Sequence, residues 1–344
     1  MKILIDAMGG DNAPEQIVLG ALDAAGKTDA DIVLVGAGSE ILKILKLNGV
    51  ETLPQGIEIA NAEDVVDMHD DPASVIKKRP QSSMIVGLRM LAAGEGDAFI
   101  SAGSTGALLT AATLLVKRCK GVRRAALGPV LPTKTGKCVL MDCGANAECT
   151  PEFLLQFACM GSFYAETLLK IEKPRVALLN IGAEDTKGGT LQKEAYALLK
   201  AAKENGTLNF IGNLEARDAL LGSADVLVAD GFSGNVLLKS VEGTAIFLGG
   251  KIKELFMKNA LTQLAALFIR GGLRDFKKLL DYRETGGTVF IGLQKPVVKA
   301  HGSSDRRAIE NAIYQAIETV KADLPARISE NAEMMLTAKE KGNV

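Results

Sequence analysis

Tryptophan is absent from the chain, and phenylalanine and tyrosine bring the aromatic content to only 4%. So few rings provide no platform for stacking bases, and a net charge of −1 provides no positive field for a nucleic acid. There are two histidines, and the five cysteines contain no Cys-x-x-Cys pair. The sequence therefore argues against a nucleic-acid partner and predicts no metal site.

Long apolar runs are also missing. The longest run in the C-terminal half covers residues 264–269, far short of the roughly 20 residues that span a bilayer. The N-terminal residues carry one lysine and too short an apolar stretch for a signal peptide. An odd number of cysteines without a pairing pattern is typical of reduced thiols. We therefore predict a cytoplasmic protein.

Short apolar runs alternate with stretches whose apolar residues recur at helical spacing. This pattern is typical of a parallel sheet covered by helices on both faces. Because no linker or repeat divides the chain, we predict a single α/β domain over residues 1–344, three-layered and doubly wound, with a mostly parallel sheet. The predicted strands cover residues 2–5, 31–35, 57–60, 98–100, 137–141, 175–179, 208–211, 225–229, 288–292 and 297–300.

Nearly every predicted strand ends in glycine together with Asp, Asn, Ser or Glu. Turn chemistry explains Gly and Asn at any one strand end, but not carboxylates and hydroxyls at most of them. Ligands of open α/β sheets bind outside the carboxyl ends of the strands, so the pattern predicts one composite site there. The sequence has no dinucleotide-binding glycine fingerprint after its first strand and no Walker A loop.

The stretch Ser101-Ala102-Gly103-Ser104-Thr105-Gly106 lies between a predicted strand and a predicted helix. Backbone N–H groups and hydroxyls at a helix N-terminus favour an anion, and phosphate is the obvious candidate. The alternative is that Ser104 or Thr105 simply caps the helix.

Few other side chains are candidates for chemistry. Lys187 lies in a glycine-flanked loop, where a mobile cation can hold a phosphate or an oxyanion. His301 follows a strand and is a candidate site residue, whereas His69 lies in an acidic run typical of the surface. Cys143 has no evident activating base, so we expect a structural role for it. The strand-end acids are expected to orient loops: Asp6, Asp11, Asp142 and Asp230.

The composition shifts in residues 236–285 towards basic, amphipathic helices. Between Lys251 and Lys278 seven cations face two acids, a local net charge of +5. We predict a helical hairpin that forms a dimer contact, lies on a membrane surface through residues 255–270, or does both. The alternative is a helix packed on the chain's own core.

Several strand-end stretches together carry a resemblance to one family. They are Asp6-Ala7-Met8-Gly9-Gly10-Asp11, Ser101 to Ala107, Asp142-Cys143-Gly144-Ala145-Asn146, the loop with Gly182, Glu184 and Lys187-Gly188, Gly212-Asn213-Leu214-Glu215, Asp230 to Asn235, and Lys299-Ala300-His301-Gly302-Ser303. In this order the chain closely resembles the bacterial phosphate acyltransferase family, the acyl-ACP:phosphate transacylases of phospholipid synthesis. It departs from the family at Cys143, Ala216 and Ser233, where an aliphatic residue, Gly and Thr are usual.

The resemblance implies a fold similar to the isocitrate/isopropylmalate dehydrogenase and phosphotransacetylase group, and a homodimer. It implies transfer of a fatty acyl group from acyl-acyl carrier protein to inorganic phosphate, which yields an acyl phosphate for phospholipid synthesis. No cofactor is implied. The expected partners are acyl carrier protein, inorganic phosphate and a downstream acyl-phosphate:glycerol-3-phosphate acyltransferase.

Our mechanistic hypothesis is direct attack of a phosphate oxygen on the thioester carbonyl. Lys187, with Asn213 or Asn235, then stabilises the oxyanion, and His301 can assist the leaving thiol. The residues expected to bind phosphate or the acyl thioester are Asp6, Gly9, Gly10, Asp11, Ser101, Gly103, Ser104, Thr105, Asp142, Asn146, Glu215, Asp230, Gly231, Phe232, Ser233 and Gly234.

Acyl carrier protein is acidic, so basic clusters are candidates for docking it. One is Lys77-Lys78-Arg79; the other comprises Arg118, Lys120, Arg123 and Arg124. The alternative for each cluster is a solvated face. Other functions stay open: a phosphotransacetylase acting on short acyl-CoA, a metal-dependent 2-hydroxyacid dehydrogenase on the same fold, and a membrane-associated scaffold built around residues 251–280.

Overall fold

The computed structural model describes residues 1–280, 282–284 and 286–336. Its strands are β1 (Lys2–Asp6), β2 (Asp31–Gly36), β3 (Ile57–Asn61), β4 (Ala98–Ser101), β5 (Ala126–Gly128), β6 (Val130–Thr133), β7 (Gly136–Met141), β8 (Val176–Asn180), β9 (Phe210–Glu215), β10 (Val226–Val228), β11 (Gly287–Ile291) and β12 (Val297–Ala300). Its α-helices are α1 (Glu15–Ala25), α2 (Gly38–Leu47), α3 (Val75–Lys78), α4 (Ser83–Ala93), α5 (Thr105–Leu115), α6 (Pro151–Thr167), α7 (Thr190–Glu204), α8 (Gly231–Phe256), α9 (Ala260–Phe268), α10 (Arg270–Leu280), α11 (Arg306–Lys321) and α12 (Leu324–Glu330).

The strands lie in two sheets. One has the order β3-β2-β1-β4-β12-β11-β5 and the other the order β6-β7-β10-β8-β9. Pairing is parallel except that β11 runs antiparallel to β12 and β5, and β6 runs antiparallel to β7. Mostly parallel sheets with flanking helices confirm the predicted α/β class. The division into two sheets was not evident from the sequence.

Burial explains why the strands read as continuous apolar runs. Ile3 to Ile5 of β1 and Val226 to Val228 of β10 are at most 1% exposed, because helices cover both faces of each sheet. The largest core cluster includes Ile5 from the first sheet and Val139 from the second, so apolar packing continues from one sheet to the other. The single domain over residues 1–344 stays a prediction.

Strand β9 differs from its prediction in a way that matters for the site. The glycine at 212 suggested that the strand ended there, but β9 continues to Glu215. Ile211 is an extra residue in the pairing with β8, and Gly212 adopts a positive φ of 109°. A glycine in this region accommodates such a β-bulge, after which the strand resumes. Asn213 and Glu215 are therefore strand residues.

The basic region begins in the middle of a helix rather than as a separate insertion. Helix α8 starts at Gly231 and runs for 26 residues, and α9 and α10 fold back against it. Apolar side chains here face solvent: Ile246 is 77% exposed, Leu261 79% and Phe268 83%. Helix α9 has no buried residue, so packing on the chain's own core was the wrong alternative for it.

Part of the predicted 236–285 segment lies outside the described residues, namely positions 281 and 285 and the side chains of Asp275, Lys277, Lys278, Leu279, Leu280 and Tyr282. In the part of the chain that the structure describes, no helix combines the length and the apolarity needed to cross a membrane.

Candidate active site

The polar loops converge because the strands that precede them are neighbours. Strands β1, β4 and β12 are parallel and adjacent, so the loops after Asp6, Ser101 and Ala300 lie at one edge of the first sheet. Strands β7, β10, β8 and β9 are likewise parallel and adjacent, and their carboxyl ends form a second group. The predicted site residues therefore divide between two sheet edges.

Asp6 is the buried anchor of the first group. Its carboxylate accepts hydrogen bonds from the hydroxyls of Ser83 (2.5 Å) and Ser101 (2.6 Å) and from the backbone N–H of Met8 (3.2 Å). Complete burial raises the pKa of Asp6, and these hydrogen bonds act in the opposite direction. Asp6 therefore holds the loop after β4 in place from beneath.

The loop from Ser101 to Thr105 leads directly into α5. Ser101 Oγ accepts from the backbone N–H of Gly103 at 3.1 Å, and Ser104 Oγ accepts from that of Ala107 at 3.5 Å. The capping role of Ser104 is thus confirmed. Capping leaves the N–H groups of Thr105 and Gly106 without an intrahelical acceptor, since an α-helix cannot satisfy its own first turn. The dipole of α5 and these N–H groups together favour an anion at this position.

The glycines of the first loop allow the backbones to approach closely. A Cβ on Gly9 would overlap the carboxylate of Asp6 and lie 2.9 Å from the backbone nitrogen of Gly103. Gly10 has a φ of 110°, and its neighbour Asp11 donates its backbone N–H to the carbonyl of Gly302 at 2.8 Å. The loops after β1, β4 and β12 are therefore joined.

Lys299 lies at the end of β12, beside this junction. Its Nζ donates to the carbonyl of Ala102 at 3.3 Å and to that of Ala300. Withdrawal from water lowers the pKa of Lys299 to about 8, although the charges of Asp6 and Asp11 act to raise it. A partly buried cation therefore lies beside the loop from Ser101 to Thr105.

His301 lies at the rim of the same loop cluster. Its Nδ1 is 2.9 Å from Ser303 Oγ and accepts the backbone N–H of Ser303 at 3.3 Å, so the neutral ring carries its proton on Nε2. Partial loss of water around the ring, followed by the charge of Lys239, lowers the pKa of His301. His301 is therefore neutral at pH 7.

In the second group Asp142 is the buried anchor. Its carboxylate accepts the backbone N–H groups of Leu127 (2.8 Å), Cys143 (2.7 Å) and Asn146 (2.6 Å). Asn146 also donates its side-chain amide to the Ala125 carbonyl at 2.9 Å. These contacts occupy Asp142 and Asn146 within the protein. These hydrogen bonds agree with the scaffold role predicted for Asp142.

Helix α8 begins on top of that loop. Asp230 is its N-cap and accepts both the backbone N–H and the hydroxyl of Ser233, each at 2.8 Å. Gly231 donates to the Asn146 carbonyl at 2.8 Å, and a Cβ on Gly234 would overlap the carbonyl oxygen of Asp142. The close packing turns Phe232 and Asn235 outward, and both are exposed.

Lys187 lies in an exposed loop between β8 and α7 whose backbone is held from below. Asn180 Nδ2 donates to the carbonyl of Lys187 at 3.2 Å, and Asn213 Nδ2 donates to that of Glu184 at 2.7 Å. The Lys187 ammonium is 4.0 Å from the Glu184 carboxylate, and both side chains are solvated. Glu215, at the end of β9, accepts from Arg217 at 3.3 Å.

Two charged residues of α8 connect the two groups. Lys239 forms an ion pair with Glu242 at 2.7 Å, and its charge lowers the pKa of both Lys299 and His301. It also acts on Cys143, a residue of the second group. Burial and the neighbouring Asp142 raise the pKa of Cys143 to about 12, so its thiol is un-ionised at neutral pH and plays the expected structural role.

The predicted docking cations differ in availability. Lys77 and Lys78 are exposed on α3, whereas the guanidinium of Arg79 forms ion pairs with Asp64 and Asp70, both at 3.1 Å. Helix α3, which carries the two lysines, contacts α5. The second cluster is also exposed: Arg118, Lys120, Arg123 and Arg124.

The chain is similar to a known protein family and to individual members of it. Residues 1–327 match the family described as fatty acid synthesis protein. Proteins named phosphate acyltransferase from Thermoanaerobacter pseudethanolicus and Thermoanaerobacterium thermosaccharolyticum are 46% and 44% identical. Each alignment covers 97% of this chain and 98% of the relative. The chain belongs to the phosphate acyltransferase family.

Solved structures agree on the fold. A phosphotransacetylase from Streptococcus pyogenes superimposes with a TM-score of 0.63 at 18% identity, over 95% of this chain and 94% of that one. A 4-hydroxythreonine-4-phosphate dehydrogenase from Klebsiella pneumoniae gives 0.53 at 12% identity, over 93% and 98%. At such identities the likeness concerns the fold alone, and it is the fold group that the resemblance implied. As a member of the phosphate acyltransferase family, the chain is an acyltransferase of lipid synthesis.

In this phosphate acyltransferase family member, the predicted residues divide into exposed and internal ones. Lys187, Asn235 and Phe232 are accessible at the sheet edges, whereas Asp6, Asp142 and Asn213 are buried and bonded within the protein. Sequence reasoning missed Lys299 and Lys239 as site residues. Lys299 belongs to the strand-end stretch Lys299-Ala300-His301-Gly302-Ser303, so its position could have indicated a site residue. Lys239 follows Asn235 by one helical turn, so helical spacing could have indicated it.

The part of the chain that the structure describes holds no group of three or more His, Cys, Asp or Glu side chains placed to bind a metal ion.

Proposed function

We propose that the chain transfers a fatty acyl group from acyl-acyl carrier protein to inorganic phosphate. The observation that carries the proposal is the first turn of α5, where the N–H groups of Thr105 and Gly106 face outward above a loop anchored on buried Asp6. Family membership supplies the reaction class, acyl transfer to phosphate. The carrier protein as donor and the acyl phosphate as product are our extension.

In the proposed reaction a phosphate oxygen forms a bond to the thioester carbon, and the carbon–sulfur bond then breaks. Its electron pair leaves with sulfur, which takes up a proton from solvent or from His301. Phosphate contacts come from the amides of Thr105 and Gly106 and from the hydroxyl of Thr105. The Ser101 hydroxyl already donates to Asp6 and accepts from Gly103, so we now assign it to positioning the loop.

The oxyanion is stabilised in our proposal by Lys187 and Asn235. Asn235 is exposed on the first turn of α8, after β10, and Lys187 follows the adjacent parallel strand β8. Asn213 donates its amide to the backbone of the Lys187 loop, which supports a positioning role for it rather than contact with substrate. Loss of one such oxyanion donor costs about 3–4 kcal/mol in other enzymes.

The test is a thiol-release assay with long-chain acyl-acyl carrier protein, run with and without inorganic phosphate. We expect release only with phosphate, together with an acyl phosphate that reacts with hydroxylamine. Release without phosphate indicates a thioesterase, and a preference for short acyl-CoA indicates the phosphotransacetylase alternative. If no thiol is released but a 2-hydroxyacid gives an NAD-dependent absorbance change, the dehydrogenase alternative is supported. If neither thiol release nor an absorbance change is seen, the scaffold alternative is supported.

The docking lysines provide a separate prediction. We expect Lys77→Glu combined with Lys78→Glu to raise KM for acyl-acyl carrier protein about 10-fold at low salt, because repulsion replaces attraction to an acidic partner. The phosphate KM should not change. Lys200→Glu with Lys203→Glu on α7 is the control, since it changes total charge equally on another exposed face. Equal effects of the two pairs would remove α3 from the docking surface.

We also propose that the exposed apolar side chains of residues 255–270 form a homodimer contact or lie on the cytoplasmic face of the membrane. Leu261, Leu264 and Phe268 are each more than half exposed in the single chain, which supports an occupant for this surface. There the acyl phosphate passes to a glycerol-3-phosphate acyltransferase. A variant with both Leu261→Ser and Phe268→Ser tests the two contacts: light scattering reports the dimer, and vesicle flotation reports membrane binding. If the variant gives the same result as wild type in both assays, neither contact uses these side chains.

A further inference from the structure

We propose that Lys299 is a phosphate-binding residue of this site, supplying the partly buried positive charge against which inorganic phosphate is held on the loop from Ser101 to Thr105. The inference rests on the proposed function and adds a residue to it.

Register places Lys299 in the site. Lys299 of β12 pairs with Ser101 of β4. Ile5 of β1 pairs with Ile100 of β4, so the next residues of the two strands, Asp6 and Ser101, are also neighbours. Paired residues of parallel strands point to the same face of a sheet. An acid, a hydroxyl and an ammonium thus form a row across three strand ends, and the middle strand, β4, leads through its loop into α5.

The contacts of the Lys299 ammonium leave it able to donate to a bound anion. Lys299 Nζ donates to the carbonyls of Ala102 and Ala300, so the described residues account for two of its three N–H donors. Among these residues no carboxylate lies within 4.0 Å of it, although Asp6 is near enough for its charge to act on it. A partly buried ammonium has lost some of its hydration and has no direct counter-ion here, and a bound dianion provides that counter-ion.

The surroundings of Lys299 explain how phosphate and proton binding are coupled. Asp6 on β1 and Asp11 in the following loop favour the charged ammonium, whereas Lys239 on α8 disfavours it, and His301 beside it is neutral at pH 7. Withdrawal from water outweighs the two acids and lowers the pKa of Lys299 to about 8. Phosphate binding requires the ammonium, so affinity for phosphate is full below pH 8 and falls as the pH rises through that value.

The decisive experiment measures phosphate KM and kcat in the thiol-release assay between pH 6.5 and 9.5, with direct calorimetric binding of inorganic phosphate. We expect Lys299→Met to raise phosphate KM about 10- to 100-fold at pH 7, the usual range for loss of a charge-assisted hydrogen bond. Lys299→Arg keeps a permanent charge, so its phosphate KM should no longer rise between pH 8 and 9.5. Ionisation of phosphate itself affects wild type and Lys299→Arg equally.

Lys295→Met is the matched control. Lys295 precedes the same strand and donates to the backbone carbonyl of Gly96 at 3.0 Å, so it makes the same kind of contact at the opposite edge of the sheet. The phosphate KM of the Lys295→Met protein should equal that of wild type. If Lys299→Met fails to fold, the pH profile of Lys299→Arg decides alone.

The two proposals fail in different ways. A wild-type protein that releases thiol without phosphate overturns the proposed function. A wild type that depends on phosphate, with an unchanged phosphate KM in Lys299→Met or an alkaline rise in KM retained in Lys299→Arg, overturns the assignment of Lys299 alone.

Discussion

Lys187→Ala is expected to lower kcat about 100- to 1,000-fold while leaving phosphate KM and thermal stability nearly unchanged. The Lys187 side chain is 47% exposed and its nearest charged group, Glu184, is 4.0 Å away in solvent, so folding depends little on it. A donor that contacts the oxyanion acts mainly in the transition state, which is why the loss falls on kcat. Steady-state kinetics of the thiol-release assay measure the split.

Two further variants make the Lys187 result specific. Lys193→Ala removes an exposed lysine from α7, just beyond the same loop, and should retain wild-type kinetics. Asn213→Ala removes the hydrogen bond beneath the loop, so it should lower kcat less than Lys187→Ala and also lower the melting temperature. A Lys187→Ala protein with wild-type turnover removes Lys187 from the mechanism.

Gly234→Ala should disrupt the start of α8 and cost about 3 kcal/mol of folding free energy. The new methyl group would overlap the backbone carbonyl oxygen of Asp142, which is itself fixed by the hydrogen bonds of a buried carboxylate. Neither backbone can yield without breaking contacts, so the first turn of α8 must move outward. Asn235 lies in that turn, and a displacement of about 1 Å lowers turnover about 100-fold.

The same helix offers the control for Gly234→Ala. Gly243 lies about two and a half turns further along α8. It is exposed, and no atom lies within 4 Å of the position that a Cβ would take. Gly243→Ala should stabilise the protein by up to about 1 kcal/mol through helix propensity. Thermal unfolding and the thiol-release assay on both variants separate the contact from the propensity. Equal stabilities of the two alanine variants would show that α8 is not packed on the 142–146 loop.

Much of the fold could be predicted because apolar runs report burial on both faces of a parallel sheet. The strands that escaped prediction were β5 and β6, of three and four residues, which are separated by Pro129 and contain Gly128 and Pro132. Elements this short have no periodicity to read. The end of β9 was misplaced because glycine usually signals a turn, whereas Gly212 lies in a bulge.

The candidate site was predictable as a set of loops but not as a set of roles. Whether a strand-end residue faces solvent or anchors a neighbouring loop depends on strand order, and sequence does not reveal that order. Ser101 and Asn213 accordingly proved to be engaged inside the protein, and Arg79 forms two ion pairs. Lys299 was overlooked because a lysine at a strand end is ordinarily solvated. Its partial burial follows from loops that are far apart in the chain.

Because α8 is continuous, it fixes the distance between its N-terminal residues and its exposed apolar side chains. At about 1.5 Å per residue, Phe247 lies about 18 Å along the helix axis from Asn235, with no break in the helix between them. The exposed apolar side chains and the N-terminal part of α8 that carries Asn235 are thus parts of one continuous helix. Any surface that covers the apolar half is therefore held at a distance from Asn235 that the helical rise determines.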